Sequence, residues 1–120
     1  MQDFRQLQVW QKSHQLVLQV YGITQAFPAS EGYGLSQQMR RASVSVPSNI
    51  AEGSGRGSDK EFAHFAQIAI GSISELEYQL LLAKDLGYLN ASRYQELSLQ
   101  ITEVKRMLIG LRKQLIANSL

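Results

Sequence analysis

Four cations stand where this chain could do chemistry. Arg40 and Arg41 are adjacent, and Arg56 and Lys60 flank the end of a glycine-spaced run, Gly53-Ser54-Gly55-Arg56-Gly57. Guanidinium and ammonium groups beside free backbone N–H groups are what a phosphate needs, because they supply charge and short-range donors together. The segment from Gly53 to Lys60 superficially resembles a phosphate loop but fails its spacing. Lys60 does not directly follow the last glycine, and the segment follows a helical pattern where the motif requires a strand. Two readings stay open, a tight, well-capped turn between helices and a phosphate contact made by Arg40, Arg41, Arg56 and Lys60.

Other reaction classes lack their constellations. His14 and His64 are the only histidines, and neither has a histidine or carboxylate at i+3 or i+4 that would suggest metal ligation on one helix face, so both read as ordinary interior or boundary residues. No serine sits in a G-x-S-x-G elbow. Glu75 and Glu77 point to different sides of a helix, so they do not converge by sequence alone. Cysteine is absent, which excludes a disulfide framework, a thiol nucleophile and a thiolate metal site. The expectation is a protein that is not an enzyme, with no catalytic residues, no metal and no cofactor.

A chain of 120 residues, 44% hydrophobic and 18% charged, fits one globular domain over 1–120. A net charge of +2 permits a nucleic-acid partner but is far weaker than that of a dedicated DNA-binding domain. The N-terminus is too polar for a signal-peptide core, and no apolar run approaches a membrane span. A soluble, cytoplasmic protein with no membrane partner is expected.

Helices must position the cations. From Val9 to Phe27, Val9, Leu16, Val20, Ile23 and Phe27 recur at helical spacing with Ser13 in the same row. A second row, Trp10, Val17, Tyr21 and Thr24 with His14 in line, also demands cover from bundle neighbours or another subunit. Pro28 ends this helix, and Pro28 to Gly34 form a turn. The second helix runs from Leu35 on a core stripe of Leu35, Met39, Ala42, Val46, Ile50 and Gly53. Opposite lies a polar ridge of Arg41, Ser45, Ser48 and Glu52, whose charged ends are roughly 16 Å apart and so need partners elsewhere, such as Glu75, Glu77 or another subunit. Between them runs a third face, Arg40, Val44, Pro47 and Ala51, uncharged after its first residue, which suggests contact with another chain. Val44, Pro47, Ala51 and Glu52 are the expected oligomer interface.

Pro47 lacks an N–H and is expected to kink or divide the second helix, with nearby serines satisfying the freed carbonyl. Gly53, Gly55 and Gly57 supply the helix end and a sharp turn. Ser58 and Glu61 fit a capping box, with Glu61 reaching back to Ser58, so a third helix opens there on a row of Phe62, Ala66, Ala69, Ile73, Leu76, Leu80 and Ala83 and closes at Gly87. Gly71 and Ser72 in its middle suggest close approach by a neighbouring helix, and Ile68, Tyr78 and Leu82 suggest a second buried face. Asn90 or Ser92 caps a fourth helix with the heptad Leu97, Ile101, Val104, Leu108, Leu111, Leu115. Four helices with short connections give an all-α, antiparallel up-down-up-down four-helix bundle.

The run Val9-Trp10-Gln11-Lys12, the Tyr21…Phe27-Pro28 helix end, Gly34-Leu35…Gln38-Met39-Arg40-Arg41-Ala42, Ser45-Val46-Pro47-Ser48-Asn49-Ile50-Ala51-Glu52-Gly53 and Ala69-Ile70-Gly71-Ser72…Glu75-Leu76 together resemble the four-helix bundle family of 23S rRNA intervening-sequence proteins. The resemblance implies a small antiparallel bundle that assembles into a ring, commonly a homopentamer, with no established enzymatic activity. It also implies contact with RNA or a ribonucleoprotein, since some members are encoded within insertions of the large-subunit rRNA gene. A similar bundle serves as accessory protein to a reverse transcriptase. Two functions follow as expectations: a homo-oligomeric scaffold or adaptor holding structured RNA or DNA by phosphate contacts, or a module whose partner is another protein and whose arginines make intersubunit salt bridges.

Overall fold

A computed structural model describes residues 3–120, and all regular structure among them is helical. Four helices, α1 (Gln8–Thr24), α2 (Leu35–Ser54), α3 (Asp59–Asp85) and α4 (Ala91–Asn118), form the bundle, with short 3₁₀ turns at Phe4–Gln6 and Ala29–Glu31. Three of the boundaries have a clear local cause. Ser58 accepts from the Glu61 N–H at 3.2 Å and donates its hydroxyl to Glu61 Oε2 at 3.3 Å, so the capping box forms through the hydroxyl itself. Asn90, not Ser92, caps α4, accepting from the Arg93 N–H at 2.8 Å. Gly87 closes α3 with φ of 80°, a conformation that penalises any side chain.

The helices neighbour one another in the order α1, α2, α3, α4 and back to α1, with α3 packed extensively on both α2 and α4. Residue pairs fix the directions. Ser45 Oγ meets Ser72 Oγ at 2.7 Å while Gly53 abuts Phe62. Lys105 reaches Glu77 at 3.2 Å while Lys84 covers the Tyr94 ring. Lys12 pairs with Glu103 at 2.7 Å while Gln19 bonds Gln100 at 2.6 Å. In every case numbers fall along one helix as they rise along its neighbour. The seam holds Leu16, Met39, Ile50, Ile73, Leu76, Leu80, Leu97, Ile101 and Leu108, all essentially inaccessible, and full burial of such side chains stabilises by about 1.5–3 kcal/mol each.

Three expectations about the helices change. α1 ends at Thr24, three residues short of Phe27, and Phe27 instead folds back onto Tyr88 with ring centroids 5.3 Å apart. α2 is one unbroken helix through Pro47. Val46, Pro47 and Ile50 are all buried there, and their packing holds helical geometry across the missing N–H. The neighbouring serines bond elsewhere, Ser43 to the Arg40 carbonyl at 2.9 Å and Ser45 to Ser72. Finally, of the pair expected to admit a neighbouring helix, Ser72 does meet Ser45 of α2 but Gly71 has open space around it, whereas at Gly53 an added Cβ would lie 2.6 Å from Phe62 Cδ1 and 2.9 Å from Phe65 Cβ.

A clasp joins the loops at one end of the bundle. Glu31 accepts the Leu35 N–H at 3.1 Å and the Tyr88 hydroxyl at 2.8 Å. The Leu35 bond first, and the Tyr88 bond second, hold the Glu31 carboxyl below its ordinary value. The same bond to Glu31, aided by burial, pushes the Tyr88 phenol up.

Candidate nucleic-acid interface

Arg40 and Arg41 are neighbours in sequence with different fates. The side chain of Arg40 turns toward α1, where Nε donates to Thr24 Oγ1 at 2.8 Å and the guanidinium lies 4.9 Å from the Tyr21 ring centroid. Thr24 passes its own hydroxyl proton to the Val20 carbonyl at 2.7 Å, so a short chain of bonds fixes Arg40. Arg41, one residue and 100° further round the helix, is exposed and forms no ion pair among the described residues. Both line an open cavity of about 580 Å³ with Tyr21, Tyr33, Gln37 and Val44. Tyr33 is 96% exposed on the turn before α2. An aromatic face beside a free guanidinium offers a base a stacking surface and its phosphate a counter-charge.

Arg56 and Lys60 stand at the other end of α2. Arg56 follows Arg41 by fifteen positions, about 22 Å of mostly helical rise. The four cations therefore do not form one cluster, although the sequence places them within a single stretch. Arg56 Nη2 pairs with Glu52 Oε1 at 2.8 Å, and its guanidinium covers the Phe65 ring at 4.8 Å. Glu52, expected to look toward α3 or another subunit, is thus engaged one turn away, while Glu77 pairs with Lys105 and Glu75 with Gln79. Both partners of the Arg56–Glu52 pair are roughly half exposed, so solvent screens it. Lys60 is exposed and shares a cavity of about 560 Å³ with Arg56, Glu61, His64 and Phe65.

The uncharged face of α2 is explained in part inside this chain. Pro47 is buried and Ala51 half-buried, while Val44 is 37% exposed and Glu52 is exposed. Val44, Pro47 and Ala51 border a cavity of about 300 Å³ opposite Trp10, His14 and Val17 of α1. The second row of α1 and the third face of α2 thus cover each other incompletely. Phe4 packs edge-on against Trp10 at 4.9 Å, and His14 stacks on it at 5.0 Å. His14 and His64 are both exposed, correcting the interior or boundary placement.

Tyr33 and Phe65 were not singled out from the sequence, and Arg112 read there only as one of the basic residues on the outer face of α4. Tyr33 stood in plain view within Pro28 to Gly34, as a large aromatic in a turn with no apolar periodicity to claim it. The Arg56–Glu52 spacing of i, i+4 was likewise legible. The position of Arg112, described below, depends on how α4 is rotated against α3 and has no local signal. Among the described residues no three metal-ligating side chains converge, and no helix is long and apolar enough to cross a membrane.

The model of the family described as 23S rRNA-intervening sequence protein matches residues 5–110. The crystal structure of a protein of unknown function from the S23 ribosomal protein family of Bacteroides thetaiotaomicron superposes with a TM-score of 0.81 at 24% identity, covering 88% of this chain and 98% of that one. At that identity the likeness concerns the fold. No curated protein matches.

Proposed function

This chain belongs to the 23S rRNA-intervening sequence protein family, and from that premise we propose that it is a cytoplasmic, non-enzymatic scaffold or adaptor that assembles as a homo-oligomer, a pentameric ring, and holds structured RNA or DNA through phosphate contacts. The observation that carries the proposal is Arg41, exposed and in no ion pair among the described residues, lining one cavity with the exposed ring of Tyr33. A solvated arginine with no acidic partner is available to a phosphate, and copies in a ring multiply a weak contact into a strong one. Arg40 holds the wall of that cavity through Thr24 and Tyr21. Arg56 and Lys60 supply a second, more screened contact about 22 Å along the bundle.

Binding to ribosomal RNA fragments, measured from about 50 mM to about 200 mM salt, tests the reading. The expected result is affinity that falls steeply with salt, and a log–log slope shallower by about one phosphate per protomer in Arg41→Ala. Undetectable binding at about 50 mM salt would sink it.

A second reading has its own observation. Ile68 and Tyr78 remain exposed on α3 beside the open surface at Gly71, an apolar strip suited to a protein partner such as a reverse transcriptase. Under this reading Arg41→Ala dissociates the oligomer and changes nucleic-acid affinity only through assembly. Sedimentation of wild type and variant separates the two, because an intact ring in the variant counts against a structural role for Arg41.

A further inference from the structure

At the end of the bundle where α3 begins and α4 finishes, Lys60, His64 and Gln67 line one wall of a cavity of about 460 Å³, and Arg112 of α4 lines it from the neighbouring helix. Lys60, His64 and Gln67 are spaced i, i+4, i+7, which stacks them on one side of α3. Three of these four side chains are cationic or can become so, and none of the three is in an ion pair among the described residues. No aspartate or glutamate lines the cavity. Ser119, also in the wall, donates its hydroxyl to the Ile116 carbonyl.

Arg112 supplies the independent observation. Its side chain is half-buried, and its Nε is shielded from solvent without any hydrogen-bond partner. A guanidinium donor withdrawn from water and left unbonded is costly, so such groups are normally satisfied by a carbonyl, a carboxylate or an anion. Among the described residues none bonds it, while Lys60 and the His64 ring stand around the same space. We propose that Lys60, His64 and Arg112 form a phosphate-binding site, the guanidinium of Arg112 binding from the α4 side of the cavity and Lys60 and His64 closing on the remaining oxygens. The expected occupant is a backbone phosphate of the nucleic acid, so the assignment of its source rests on the function proposed above. The site lies beside Arg56, since Lys60 and His64 also border the cavity that holds Arg56 and Phe65. One phosphodiester strand could therefore run across the start of α3 and touch Arg56, Lys60 and Arg112 in succession.

Inorganic phosphate added to the labelled full chain, with chloride matched for ionic strength, tests the site directly. The Arg112 guanidinium and His64 ring resonances are expected to shift saturably with phosphate and not with chloride. Arg112→Gln should weaken the response by about tenfold, as expected for loss of a charge-assisted bond, and Arg112→Lys should restore part of it. No phosphate-specific shift at Arg112 in the folded wild type overturns the site. A second arm identifies the source: RNA affinity of Arg112→Gln should show a salt slope shallower by about one per protomer. If Arg41→Ala weakens RNA binding while Arg112→Gln leaves it unchanged, the backbone assignment falls and the proposed function stands. If phosphate shifts Arg112 but no RNA binds even at low salt, the occupant is free phosphate and the RNA reading falls.

Discussion

Gly53→Ala tests the packing of α2 on α3 most sharply. The added Cβ would lie 2.6 Å from Phe62 Cδ1 and 2.9 Å from Phe65 Cβ, against an optimal carbon–carbon separation of about 3.5–4.0 Å. About 1 Å of overlap must be relieved. The Phe62 ring is buried and cannot swing into solvent, and Cβ of Phe65 moves only with the α3 backbone. Overpacking of this kind costs roughly 1–3 kcal/mol, offset by at most about 1 kcal/mol of helix propensity because Gly53 sits near the end of α2. The net expectation is a loss of about 1–2 kcal/mol, a fall in Tm of about 4–8 °C for a domain of this size. Gly71→Ala is the control. It replaces a mid-helix glycine with open space around it, so it should gain about 1 kcal/mol and raise Tm by about 4 °C. Thermal unfolding by circular dichroism measures both, with sedimentation alongside. A Gly53→Ala protein as stable as wild type refutes the reasoning about α2 and α3. A Gly71→Ala protein that loses stability and dissociates shows that another copy packs where this chain leaves space.

The caps should weigh similarly to one another: Ser58→Ala and Asn90→Ala are each expected to lower stability by about 1 kcal/mol in urea titrations, because each leaves a first-turn N–H unbonded. The Glu31 clasp gives a pH dependence. Its carboxyl is held below the ordinary value of 4.5, so its stabilisation is present above that value and is lost as pH falls through the folded pKa. Tyr88 behaves oppositely: its phenol is raised above 10.0, so its share is complete below that value and lost as pH rises through the folded pKa. Urea midpoints measured across the acid range should fall more steeply for wild type than for Glu31→Gln, and equal slopes would count against the clasp. Replacing Tyr33 by Ala should weaken binding of unpaired RNA by about 1–3 kcal/mol, the usual worth of one stacked base, with the salt slope unchanged because no charge is lost; unchanged affinity removes the stacking role.

Local signals carried far in this chain. The heptad from Leu97 to Leu115 is buried along α4 except at Leu111, which is half-buried. The Ser58 and Asn90 caps sit where their types and the following residues place them. The stripe Leu35, Met39, Ala42, Val46, Ile50, Gly53 is buried throughout. Each of these depends on residues within one or two turns, where helical geometry leaves little freedom. Pro47 shows where a local rule stops: of the kink or division expected, division does not occur, because burial of Val46, Pro47 and Ile50 against neighbouring helices outweighs one missing hydrogen bond.

The sequence alone determined four helices, their caps, their core faces and the positions of four cations along one stretch, because spacing and side-chain type act through neighbouring turns. The tertiary structure decided which cations remain free. Arg40 is spent on Thr24 and Tyr21, Arg56 on Glu52 and Phe65, and Arg41 on nothing. It also brought Arg112, more than fifty residues beyond Arg56 in the chain, to the side of Lys60 and His64. Those outcomes turn on the rotation and register of each helix against the next. The summed packing of residues far apart in sequence sets both, and no local pattern encodes that sum.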